Sequence, residues 1–170
     1  NFYRLLTFQS KHLSIIIKKH TEGPEVFTAL RGLLISGICL SGGNKRYNQA
    51  KNILVSALNN QILNDGCHVS KQPSITLDIL TDLIWIKNAL NENDALLEII
   101  DNNITKISHA IRSLRLGDGT LVRINGGRSY SRDAIDKVLE KTGIKLRSRI
   151  SSSLTTSGYE RLASGRSIII

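Results

Sequence analysis

The chain has 170 residues, 41% hydrophobic and 5% aromatic, with 23 Lys and Arg against 14 Asp and Glu for a formal net charge of +9. That length supports one core, since a domain of this size buries roughly 70% of its unfolded surface, and the charge balance favours anionic partners. Dispersed basic residues and few rings for stacking bases argue against nucleic acid, and no apolar run of roughly 18 residues or signal-peptide pattern marks a membrane span or leader.

In Phe2 to Lys19 the apolar residues Phe2, Leu5, Leu6, Leu13, Ile16 and Ile17 recur mainly three and four apart, which predicts an amphipathic helix. Gly23-Pro24 breaks the run, and Pro24 suits the start of a second helix, about Glu25 to Leu40. Its small residues Gly32, Ser36 and Gly37 would let a neighbouring helix come close. "SGGN", Ser41 to Asn44, then reads as a helix stop, with a phosphate cradle as the alternative.

A third helix is expected from about Arg46 to Leu63, with Ala50, Ile53, Leu54, Ala57, Leu58, Gln61 and Ile62 on one side. A loop follows, and Pro73 opens a fourth helix that is apolar over much of its circumference, Ile75 through Trp85, and therefore central. "NEND" separates it from a fifth, about Ala95 to Leu114. Five helices on short connectors imply antiparallel hairpins, and the missing heptad argues against a coiled coil.

After Leu116 the composition shifts to glycine and turn-formers. "LGDGTLVRINGGRSYS" reads as a structured loop with one short strand near Leu121 to Ile124, followed by a short helix, Arg132 to Lys141, capped by Ser131 and closed by Gly143. "SRISSSLTTS" reads as a polar linker, and "GYERLASGRSIII" as two strands turning at Ser164-Gly165. The division is thus 1–116 helical, 117–150 loop and short helix, and 151–170 linker and first strands. A start at Asn1, no methionine, and an apolar strand at the end suggest part of something larger.

Walker, Rossmann and His-Glu-x-x-His patterns are absent, so no metal or cofactor is expected. Cys39 and Cys67 read as two small buried thiols. Among four histidines, His12, His20 and His109 fall within or at the ends of helices without ligand partners. His68, in "NDGCHVSKQP", is the exception: it follows a helix end in a glycine-containing loop, where it is either structural or projects into a cleft. Asn125 in "RINGG" is first a turn residue, but its amide beside Arg123 and Arg128 could also bind an anion.

"NQILNDGCHVSKQPSITLDILTDL", then "LRLGDGTLVRINGG", then "TSGYERLASGRSIII" together resemble the heparinase II/III-like family of polysaccharide lyases, more narrowly its bacterial branch. The resemblance implies a mainly α fold: an incomplete (α/α) toroid of antiparallel helical hairpins, followed by the first strands of a β-sandwich. It also implies β-elimination on an acidic, uronic-acid-containing polysaccharide, in the periplasm or outside the cell. In that reaction the carboxylate is neutralised and a tyrosine or histidine removes the C5 proton. It places His68 at the carboxylate or the substrate, Asn125 on the same cleft, Tyr130 as the nearest candidate base, and Arg123 and Arg128 as substrate-positioning groups. Tyr3, Tyr47, Tyr130 and Tyr159 all lack a following histidine, Ser70 replaces an acidic residue, and the sandwich histidine lies beyond the chain, so an inactive fragment is expected. The rival expectation is a non-catalytic basic helical module that binds an anionic polymer.

Overall fold

The structure is a computed structural model and describes residues 2–144, 150–164 and 167–170. Six helices occupy the described residues: α1 (Phe2–Ile16), α2 (Glu25–Cys39), α3 (Asn44–Gln61), α4 (Pro73–Ala89), α5 (Leu96–Ser113) and α6 (Arg132–Lys141). Four short strands follow, β1 (Ser153–Leu154), β2 (Tyr159–Glu160), β3 (Leu162–Ser164) and β4 (Ser167–Ile169). The protein is therefore mainly helical, with small antiparallel hairpins at its C-terminal end.

Helix α2 packs against α1, α3 and α4, and α4 packs in turn against α5 and α6. The shared core contains Phe27, Leu30 and Leu34 of α2, Leu54 and Leu58 of α3, Leu80 and Leu83 of α4, and Ile100, Ile104 and Ile107 of α5, all within 1% of complete burial. The three-and-four spacing of these residues puts each set on one helical stripe, and burying a Leu, Ile or Phe side chain contributes about 1.5–3 kcal/mol. Gly37 does what its size suggested. A Cβ there would stand 2.9 Å from the backbone nitrogen of Tyr47, so α2 and α3 approach closely only because the side chain is missing.

Several local readings change on folding. Helix α1 seats Ile17, just past its end, in the core, while Phe2, Leu5 and Ile16 of its apolar stripe stay exposed. Trp85 is also exposed, beside a small concavity that α4 shares with Val138 and Lys141 of α6. Cys67 is buried as expected, but Cys39 is exposed at the last residue of α2. The stretch Leu121 to Ile124 forms no strand. Leu121 makes a single antiparallel bridge to Arg115, and the pairing extends no further because the residues before Leu114 belong to α5.

Ser153–Leu154, inside the stretch read as a polar linker, forms β1 and pairs with β2 in the register Ser153 with Glu160 and Leu154 with Tyr159. Leu154 is its single buried apolar residue, which is why composition did not reveal it. β3 and β4 pair as the expected hairpin, Leu162 with Ile169 and Ala163 with Ile168. The turn residue Gly165 lies outside the described residues, as do the basic residues Lys145, Arg147 and Arg149.

Candidate functional site

The connector from α3 to α4 is a miniature hairpin. Leu63 N–H donates to the Cys67 carbonyl at 2.8 Å and Val69 N–H to the Gln61 carbonyl at 2.9 Å, which closes the Asp65-Gly66 turn at a helix end. Gly66 is required twice over. Its φ is +87°, and a Cβ would stand 2.2 Å from the Lys106 carbonyl oxygen of α5. Asp65 caps the turn by accepting from Cys67 N–H, and its other oxygen accepts from the backbone N–H of Ser157, 92 positions away, at 2.6 Å. The loop is a junction where the C-terminal hairpins meet the helices.

His68 is 2% exposed. The Ser70 backbone N–H donates to its Nδ1 at 3.1 Å, so Nδ1 is the acceptor nitrogen and the proton sits on Nε2. That N–H points at Oε1 of Gln61, 3.1 Å away, and Ser70 Oγ lies 2.8 Å from Nδ1. The tautomer is thus assigned from the hydrogen-bond network. Burial pushes the imidazole pKa below its ordinary value, against the opposing charge of Glu25, so His68 is neutral and both its nitrogens are engaged internally.

The ring edge reaches a cleft of about 610 Å³ whose walls include Glu22, Asn52, Ser56, Asn60 and Gln61. Its polar groups are amides, hydroxyls, the His68 imidazole and one carboxylate, beside the apolar Ile53 and Val69, and no Lys or Arg is among the described residues that line it. An acidic polysaccharide therefore finds no positive groove here, despite the overall charge.

The other four predicted residues do not line this cleft. Asn125 has a φ of +54° and donates from Nδ2 to the Lys71 carbonyl at 2.7 Å. Arg128 donates its backbone N–H to Ser74 Oγ at 3.2 Å, and its guanidinium pairs with Asp78. The Tyr130 hydroxyl donates to the other oxygen of Asp78. Burial, together with that carboxylate, pushes the Tyr130 phenol up to about 12, away from the phenolate a base would need. Arg123 is exposed. The structure thus unites Asn125, Arg128 and Tyr130 with the first turns of α4, apart from the His68 cleft.

Asp78, Gln61 and Asp82 were not singled out from the sequence. Asp82 is buried inside α4, where Thr28 Oγ1 donates to it at 2.8 Å and Arg31 pairs with it at 2.7 Å. An acid within an apolar helix is the one signal that could have drawn attention to it. No group of three or more His, Cys, Asp or Glu suited to a metal ion occurs among the described residues. No helix among them is long and apolar enough to cross a membrane.

The fold and site together define a mainly helical chain whose polar loops hold its elements to one another beside a cleft with no Lys or Arg among its described lining. Over 163 residues, 94% of the chain, it is 28% identical to the FtsZ-localized protein C of Caulobacter vibrioides. The chain spans about a quarter of that relative's length, 27%. No family model and no solved structure matches it. These findings overturn the heparinase II/III-like resemblance and the polysaccharide lyase function drawn from it, because the named relative is an FtsZ-localized protein and no match to a lyase accompanies it. Glycine turns, a Pro-started helix and a short hairpin are solutions that unrelated sequences share, so their order misled.

Proposed function

We propose that this chain is a helical scaffold segment of a longer protein that, like its relative, is localised with FtsZ. The observation that carries the proposal is the match to the FtsZ-localized protein C, which runs through 94% of the chain rather than through one motif. The loop junction supports a scaffold role. Asp65, His68 and Asp78, the polar groups best placed for chemistry, serve to hold the Ser157 turn, the Gln61 helix end and the Arg128 loop.

The curved toroid and the β-sandwich belong to the same proposal, as the architecture of the longer protein. The packing of α2 on α3 and of α4 on α5 across short connectors supports it, and so do the exposed apolar residues at both ends, Phe2, Tyr3 and Phe8 on α1 and Leu162 and Ile169 on the last hairpin. Further helices and strands of the longer protein would cover them.

The test is to express the full-length protein as a fluorescent fusion beside labelled FtsZ in the cell that encodes it. The expected result is coincident localisation that disappears when FtsZ is depleted. A distribution indifferent to FtsZ sinks the proposal.

A further inference from the structure

A second concavity, of about 340 Å³, lies where the end of α5, the Leu116–Thr120 turn, the start of α6 and the strand region meet. Arg112, Arg115, Arg132 and Arg161 line it, with Asp136 the single acidic residue among the described lining. This is where the chain's positive charge is gathered in a concave place, and none of the groups described above for the His68 cleft takes part.

Part of the cluster is fixed in advance. Arg115 Nε donates to the Gly119 carbonyl at 2.9 Å, and its Nη1 pairs with Asp136 Oδ1 at 2.8 Å, so the plane of that guanidinium is held. Asp136 also draws in Arg132, with Nε 3.4 Å from Oδ2. Gly119, at a φ of +85°, leaves room for both side chains, since a Cβ would stand 2.9 Å from Arg115 Nη2 and 3.0 Å from the Arg132 stem. One carboxylate thus organises the Arg115 and Arg132 guanidinium groups together, one negative charge against two positive ones. Arg161 Nε, moreover, is buried without a hydrogen-bond partner among the described residues. A buried guanidinium N–H without an acceptor is costly, and an oxygen of a bound anion supplies one.

We propose that this pocket binds the dianion of a phosphate monoester. Guanidinium forks match phosphoryl oxygens in pairs, and arginine rather than lysine is the residue for such contacts. A phosphate monoester carries about −1.5 to −2 near pH 7, enough to meet both Arg161 and the charge that Asp136 leaves over between Arg115 and Arg132. The volume exceeds that of a bare ion, and Leu116 and Ile150 supply apolar wall for the esterified group. The source is either a soluble ester or a lipid headgroup.

The experiment titrates the 170-residue chain with glycerol 3-phosphate by calorimetry. In parallel it sediments the chain with phosphatidylcholine vesicles, with and without phosphatidic acid. Arg161→Gln and Arg132→Gln each remove one pocket charge, and Lys11→Gln removes one on α1, far along the chain; circular dichroism confirms that each variant folds. Both arginine variants are expected to weaken binding at least about tenfold while Lys11→Gln leaves it unchanged. Arginine-dependent binding of the soluble ester assigns a free ligand, and arginine-dependent binding to phosphatidic acid vesicles alone assigns a headgroup. Absence of binding in both arms overturns the proposal, as does an affinity that survives both arginine changes or falls equally in Lys11→Gln. Arg132 is mostly exposed, so its variant stays informative if Arg161→Gln does not fold.

Discussion

The side-chain amide of Asn125 donates to the backbone carbonyl of Lys71 at 2.7 Å, and both residues hold positive φ, +54° and +53°. Two strained turns, 54 positions apart, are locked by one hydrogen bond, and the Tyr159 hydroxyl donates to the same carbonyl. Asparagine serves here because it tolerates the left-handed region and still carries a donor. Asn125→Gly keeps the backbone and removes the bond, which should cost about 1 kcal/mol in a urea titration. Asn125→Ala removes the bond and adds about 1–2 kcal/mol of backbone strain. Equal losses in the two variants would mean that the turn is not held left-handed.

Gly66 and Gly42 both have positive φ but differ in their surroundings. A Cβ at Gly66 collides with the α5 backbone, whereas one at Gly42 meets nothing within 4 Å. Gly66→Ala should therefore destabilise by at least about 2 kcal/mol, and Gly42→Ala by only about 1 kcal/mol, the strain by itself. Thermal melts of the two variants give the comparison directly.

His68 makes stability depend on pH. Its folded-state pKa is depressed by burial, so between that value and the unfolded value the unfolded chain binds more protons. Stability should rise with pH through this window and fall as pH drops below about 6.5, by at most about 1.4 kcal/mol per pH unit for one group. His68→Gln should flatten that limb of a stability-against-pH curve. An unchanged slope would place the titration on another residue.

Tyr130 reports on Asp78. The phenol pKa, pushed up to about 12, should move back toward 10 in Asp78→Asn, since the negative neighbour that opposes the phenolate is gone. Ultraviolet titration of the phenolate follows it. The same variant releases Arg128, and hydrogen exchange in the segment 123–130 should quicken as that loop loses its hold on α4.

The helices were legible before folding because their signals are local. Pro73 marks the first residue of α4, and Ser131 caps α6 by accepting from Ala134 N–H at 3.2 Å, both as read from the sequence. The His68 loop was legible as a special place but not in its role. Nothing in "NDGCHVSKQP" says that Gln61 and Ser70 take both imidazole nitrogens, because that depends on where α3 ends and how the hairpin closes. The clustering of four arginines was equally hidden, since Arg112, Arg115, Arg132 and Arg161 are spread over 50 positions of a chain without an uninterrupted basic block.

From the residues by themselves came the number, order and approximate ends of the helices and the hairpin at the C-terminal end, since backbone propensity, periodicity and capping act within a few positions. Tertiary structure decided which polar groups are free for chemistry and which are consumed. Asp65 holds Ser157, Asn125 holds Lys71 and Asp78 holds Tyr130, each a bond between segments that 52 or more positions separate. The energy of such a bond exists only once packing has brought donor and acceptor together and removed the competing water.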